Sequence, residues 1–301
     1  MVVIESTQPP DFASFANAAE LEKKLFEAGY LAEEGLVAAA FLAVRMRRPL
    51  FLEGDPGVGK TAFAHAMATV LGAKQPIRLQ CHDGIDASQA LYDWNFPKQI
   101  LTLRAASEGE RIDVDTLYTR DFLVRRPILQ ALENSPAVLL IDEIDRAEDE
   151  FEACLLEVLE SNAVSIPEIG TIRAEHAPLV VLTSNQTREV HDALKRRCLY
   201  HWIDHPDPER EVAILRRRVD GLSAELAEEI AAAMQRLRAV DGLTKCPGIA
   251  ESIDLAHAVV QVGGESLTAE VVDATISTIG KHRDDLAQVR AELLPEQRGR
   301  S

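Results

Sequence analysis

The run Gly54-Asp55-Pro56-Gly57-Val58-Gly59-Lys60-Thr61 decides how this 301-residue chain is read. It matches the spacing G-x-x-x-x-G-K-[S/T] in full. Before it, Pro49-Leu50-Phe51-Leu52 is a short apolar run closed by Glu53-Gly54, the pattern of a buried strand. After it, residues 60–71 carry alanine and apolar side chains at helical spacing, so 49–71 is predicted as strand, loop and helix. The glycines let successive backbone N–H groups close around phosphate oxygens. The start of the helix adds partial positive charge. Lys60 is placed to reach the β- and γ-phosphates of ATP, and the Thr61 hydroxyl to ligate Mg2+. All eight residues, Gly54, Asp55, Pro56, Gly57, Val58, Gly59, Lys60 and Thr61, are therefore expected to bind the nucleotide.

Working outward, further strands are predicted at 77–81, 137–141, 179–183 and 199–203, with helices at 127–133, 148–161 and 189–196. The unbroken apolar run 137–141 fits a strand covered on both faces. Strands alternating with helices imply an α/β fold, a parallel sheet with helices on both sides. Two helices broken near Gly29 are expected over 18–45. Beyond His205-Pro206-Asp207-Pro208 the strand signal stops, and 209–219, 223–240, 251–262 and 268–283 all read as helices. The expected layout is a loose leader 1–16, an α/β core 17–205, a small helical domain 206–283, and a charged, partly disordered tail 284–301.

The central strand ends in Asp142-Glu143. Side chains at the carboxyl end of such a strand face the crevice where ligands bind. Asp142 is expected to hold the magnesium and Glu143 to orient and activate the attacking water. Thr183-Ser184-Asn185 ends the next strand; Asn185 is the candidate to hydrogen-bond a water or the γ-phosphate, the alternative being a helix cap. Asp192-Ala193-Leu194-Lys195-Arg196-Arg197-Cys198 concentrates basic charge. An arginine from there, supplied in trans, can stabilise a transferring phosphoryl group, and a solvated basic face is the other reading.

Composition bounds the rest. Lys plus Arg number 32 against 49 Asp plus Glu, a formal charge of −17, which repels a phosphate backbone and disfavours nucleic acid as partner. Cys81, Cys154, Cys198 and Cys246 form no CxxC or zinc-knuckle spacing, consistent with a reducing cytoplasm. Residues 1–12 lack a signal-peptide pattern, and the longest apolar run, 36–44, is too short to span a bilayer.

Taken together, GDPGVGKT, LLIDEID, LTSN and the ALKRRC segment, followed by helices, resemble AAA+ ATPases of the MoxR family over about residues 30–280. The likeness is greatest to the CoxD-like branch, through LQCHDGIDASQALYDWNFPKQIL, RRPILQALE, FEACLLEVLE, IPEIGTI and TREVHDALKRRCLYHW. The resemblance implies a P-loop core with a helical lid. It makes Lys60 and Thr61 the Walker A pair, Asp142 and Glu143 the Walker B pair, Asn185 sensor 1, and Arg197 the arginine finger with Arg196 as its rival. It further implies a homo-oligomeric, hexameric ring and a chaperone-like motor. The implied partners are a von Willebrand factor A domain protein and a client enzyme, in this branch a molybdenum-containing carbon monoxide dehydrogenase under maturation. The expected sensor 2 arginine is missing from 246–252, with Lys245 and Arg238 nearby.

Three weaker signals remain. Cys81-His82-Asp83 has too few donors for a metal site. Tyr92, Trp94 and Phe96 suit either a partner surface or packing under a loop. Residues 168–173 fit a hairpin loop. The functions competing with a protein-remodelling motor are an activator of another complex, a monomeric P-loop kinase-like enzyme, a nucleic-acid motor and a non-hydrolysing switch.

Overall fold

The structure is a computed structural model describing residues 15–105 and 113–294. Most of the expected leader, and residues 295–301 of the expected tail, lie outside the described residues.

The chain opens with α1 (Ala18–Glu27), started by the Asn17 side chain accepting from the Glu20 N–H, and α2 (Glu34–Met46). Between them Gly29 takes φ +86°, a conformation a Cβ disfavours. The sheet and its surroundings follow in the order β1 (Leu50–Glu53), α3 (Lys60–Val70), β2 (Ile77–Gln80), α4 (Ala87–Ala90), β3 (Tyr92–Trp94), α5 (Phe96–Ala105), β4 (Leu123–Arg125), α6 (Pro127–Glu133) and β5 (Val138–Asp142). Then come α7 (Asp149–Ser161), β6 (Ala163–Ile166), β7 (Gly170–Arg173), β8 (Leu179–Ser184), α8 (Asp192–Arg197) and β9 (Leu199–Trp202).

Five strands form one parallel sheet in the order β2-β5-β8-β1-β9. Every residue of β5 and β8 is buried, which is why both read as continuous apolar runs rather than alternating ones. Phe51, Ile128, Leu129, Leu139, Ile141 and Leu182 lie in the core beside the sheet. Each such side chain contributes about 1.5–3 kcal/mol by leaving water. Two small antiparallel pairs flank the main sheet, β3 with β4 and the hairpin β6–β7. The hairpin overlaps the loop expected at 168–173, but its turn is 167–169 and residues 170–173 are strand β7; β4 carries no motif that marks it in the sequence.

Past residue 203 the described chain is helical: α9 (Pro208–Arg218), α10 (Ala224–Arg238), α11 (Ile249–Gln261), α12 (Ala269–Thr275) and α13 (Leu286–Leu293). In α10 the buried Leu226, Ala227, Ile230, Ala233, Met234 and Leu237 form one stripe at helical spacing. Two expectations change here. The helix predicted over 268–283 stops at Thr275, gives way to a 3-10 turn over Ile276–Thr278, and leads to Gly280. A Cβ on Gly280 would overlap the Leu286 side chain, so the glycine admits the next helix. The tail expected from Asp284 instead begins with that helix, α13, which buries Val289 and Leu293 in the helical core. Its apolar stripe is short, and Asp284, Asp285, Arg290 and Glu292 dominate the sequence around it.

The residues divide into two compact units. Among the described residues, one holds 15–28, 32–53, 61–105 and 113–202; the other holds 29–31, 54–60 and 203–294. The loop 54–60 thus clusters with the helices, whereas sequence reading put it in the core 17–205. The cause lies in close contacts within the second unit. Ala250 N–H donates to the Gly57 carbonyl at 3.2 Å, and the Arg210 guanidinium donates to the Leu31 carbonyl at 2.8 Å. Among the described residues no helix is long and apolar enough to cross a membrane.

Candidate functional site

In the helical unit, the glycine-rich loop is bent at Gly57 (φ +85°) and Gly59 (φ +103°), where a side chain would be strained. Gly54 is also closed to substitution, since a Cβ there would overlap the Ile203 carbonyl oxygen. Lys60 is 7% exposed, and its ammonium donates to the loop's own Gly54 and Asp55 carbonyls at 2.6 and 2.9 Å. The loop is therefore pre-folded around its lysine. The start of α11 presses on it: a Cβ on Gly248 would stand 2.8 Å from both the Gly57 carbonyl carbon and the Pro56 oxygen.

Charged groups crowd this contact. Glu251 accepts from Gly248 N–H at 3.0 Å and from the Lys245 ammonium at 2.6 Å. Burial alone would raise the Glu251 carboxyl, but the Lys245 bond and the backbone donors outweigh it and hold it below the usual carboxylate range. His205 Nε2 lies 3.2 Å from Asp55, while its Nδ1 is buried with no partner. Burial, with Arg238 adding to it, lowers the His205 pKa despite the pull of Asp55. Arg238 itself is 7% exposed and committed to Glu211 through bonds of 2.7 and 2.8 Å. It holds the helical unit together, and Lys245 is the other cation near the start of α11.

The α/β unit brings the acidic residues together. Asp142 Oδ1 accepts from Thr183 Oγ1 at 2.6 Å and from Thr61 Oγ1 at 3.2 Å. Oδ2 accepts from Arg78 Nε at 2.9 Å and Nη2 at 2.5 Å. Glu143 follows with φ +56°, in the left-handed region, held there by its N–H donating to Thr183 Oγ1 at 2.9 Å. Its carboxylate meets Gln80 Nε2 at 3.1 Å, Arg146 Nε at 2.9 Å and Asn185 Nδ2 at 3.4 Å. Asn185 caps no helix, because His191 caps α8; its backbone N–H is held instead by the buried Asp145 at 3.2 Å. A non-glycine residue in this conformation carries backbone strain that the Thr183 bond helps to hold.

Thr61 and Asp142 fit a hard divalent cation. Both offer oxygen, they lie within hydrogen-bond distance of each other, and the carboxylate is buried with Arg78 as its present counter-charge. Among the described residues no group of three or more His, Cys, Asp or Glu side chains is set to hold a metal by itself. A cation here would draw its remaining ligands from phosphate and water, as magnesium commonly does. Cys81 is buried beside this cluster, and burial, with the neighbouring Asp142 next in effect, pushes its thiol up to about 12.

Sequence reading missed Arg78, Gln80, Thr183 and Arg146. The signal for the first two was the alternation Arg78-Leu79-Gln80, which puts both polar side chains on one face of β2, but the partner depends on register: Gln80 aligns with Asp142. The basic segment lies apart from this network. Arg197 donates to Glu160 at 3.1 Å and to the Ala193 carbonyl at 3.1 Å, and Arg196 is exposed. Arg48 donates to the carbonyls of both and of Cys198, satisfying the end of α8. Trp94 packs edge-on against Tyr118 at 5.1 Å, whereas Phe96 is 54% exposed.

Residues 49–198 match the family described as AAA domain (dynein-related subfamily). The gas vesicle ATPase GvpN of Haloferax mediterranei is 26% identical, over 82% of this chain and 72% of its own. The uncharacterized protein YehL of Escherichia coli is 24% identical, over 81% of this chain and 72% of its own. Among solved structures, the Thermotoga maritima RuvB Holliday junction branch migration motor is similar with a TM-score of 0.46 at 18% identity, covering 95% of this chain and 76% of that one. A single-substitution variant of the same motor gives a TM-score of 0.47 at 19% identity, with coverage of 94% and 73%. The parallel sheet, the loop with its lysine and the family match agree: the chain has a P-loop AAA fold, and its residues 49–198 form an AAA domain of the dynein-related subfamily.

Proposed function

We propose that this protein is a MoxR-type motor that hydrolyses ATP to remodel a partner protein. The observation that carries the proposal is the hydrogen-bonded set Thr61–Asp142–Thr183–Glu143–Asn185 at the carboxyl edge of a parallel sheet, in a chain whose phosphate-loop spacing is complete. In this proposal the loop 54–61 takes the triphosphate and Lys60 meets its outer phosphates. Thr61 and Asp142 would hold magnesium, which when bound supplies charge neutralisation of the phosphates. Glu143 accepts the proton of the attacking water, and Asn185, bonded to Glu143, orients that water. Arg197 of a neighbouring copy, or Arg196, stabilises the transferring phosphoryl group. The half-exposed Arg197, whose partner Glu160 is itself 69% exposed, can exchange that partner cheaply.

The finer assignment follows the sequence resemblance: a hexameric ring in the cytoplasm, a von Willebrand factor A domain partner, and maturation of a molybdenum-containing carbon monoxide dehydrogenase. The match to a gas vesicle ATPase supports the ATPase and favours no particular client. The test is a pair of variants. Glu143→Gln should retain ATP with magnesium and lose turnover, and Lys60→Ala should lose binding. Turnover by Glu143→Gln at the parental rate would remove the base from the scheme. Mixing Arg197→Ala with Lys60→Ala should restore part of the activity if the arginine acts between copies; absence of rescue with assembly intact would place it in cis.

A further inference from the structure

Between the two acidic residues runs an unbroken chain of hydrogen bonds through β2. Arg78 donates twice to Asp142 Oδ2, at 2.9 and 2.5 Å, and its Nη2 also donates to Gln80 Oε1. Gln80 Nε2 then donates to Glu143 Oε2 at 3.1 Å. The amide cannot be reversed, because Arg78 offers only donors and an ionised Glu143 only acceptors. The Asp142 side chain is 5% exposed and its other oxygen is taken by two threonine hydroxyls, so Arg78 is its counter-charge. Arg78 is 52% exposed, which leaves it a path into solvent without unpacking the core.

We propose that Arg78 stands in for the divalent cation at Asp142 and competes with that cation for the carboxylate. This rests on the nucleotide-binding function proposed above. Arg78 and a divalent cation need the same carboxylate, and two positive charges a few ångströms apart repel strongly near a protein surface. Arg78 therefore withdraws when the charge of Asp142 is claimed.

The test uses the full chain. In a Glu143→Gln background, where turnover is absent, a fluorescent ATP analogue is titrated with magnesium and its binding read by anisotropy. Arg78→Gln should lower the magnesium concentration at half-maximal binding by about tenfold. Arg78→Met keeps the stem, drops the charge, and carries the same expectation should the Gln variant fail to fold. Arg78→Lys restores the charge and should hold the midpoint within about twofold of the parent. An unchanged or raised midpoint in folded Gln or Met variants overturns the inference, as does a Lys variant that shifts as far as they do. If the unsubstituted Arg78 protein binds no analogue at any magnesium concentration, the nucleotide-binding function itself fails, before any variant is compared.

Discussion

Removing Arg238 should destabilise the helical unit heavily. Arg238 and Glu211 are 7% and 0% exposed, joined by two bonds of 2.7 and 2.8 Å. Deleting one partner of a buried pair costs about 3–5 kcal/mol, mostly through the charge left behind. Glu211 would keep Ser252 Oγ at 2.6 Å and Gln235 Nε2 at 3.2 Å, which points to the lower end, about 3 kcal/mol for Arg238→Met. The double variant Glu211→Leu/Arg238→Met removes both charges and should recover most of that loss. Urea unfolding combined with hydrogen exchange of α10 and α11 amides reads this unit separately from the α/β unit. The effect should reach the phosphate loop, because Arg238 Nε also holds the Pro247 carbonyl at 2.9 Å, just before Gly248. A loss below about 1 kcal/mol, or a double variant no more stable than the single one, refutes the reasoning.

Three further outcomes are expected. Gly248→Ala puts a methyl group 2.8 Å from two backbone atoms of the loop, so it should cost about 1–3 kcal/mol and weaken ATP binding; unchanged affinity by calorimetry would show that the contact yields. Thr183→Val removes the hydroxyl that joins Asp142 to the Glu143 N–H and should cost about 1–3 kcal/mol while cutting turnover more than ATP binding, measured by urea unfolding and steady-state kinetics. For His205, a pKa lowered on folding means the unfolded chain binds more protons, so stability rises with pH up to about 6.5 and is level above it. His205→Gln should flatten the slope of urea midpoints below about pH 6.5, and an unaltered slope would assign it to another group.

What the sequence by itself determined are the features whose signal is local. The phosphate loop lies within eight consecutive residues, and Asp142-Glu143 ends a strand legible from its own apolar run. The sheet elements and most helices followed from periodicity, because burial on both faces or on one stripe imprints itself on adjacent residues. Tertiary structure decided what depends on neighbours distant in the chain. Arg78 and Gln80 acquire meaning only from the register that sets Gln80 beside Asp142, 62 positions on. The contact of Gly248 with Gly57 crosses nearly two hundred residues and has no motif. Helix α13 emerged from a charged stretch because Val289 and Leu293 found a groove that other helices built. Local chemistry is written in spacing; the partners of each charge are set by packing, which no window of sequence contains.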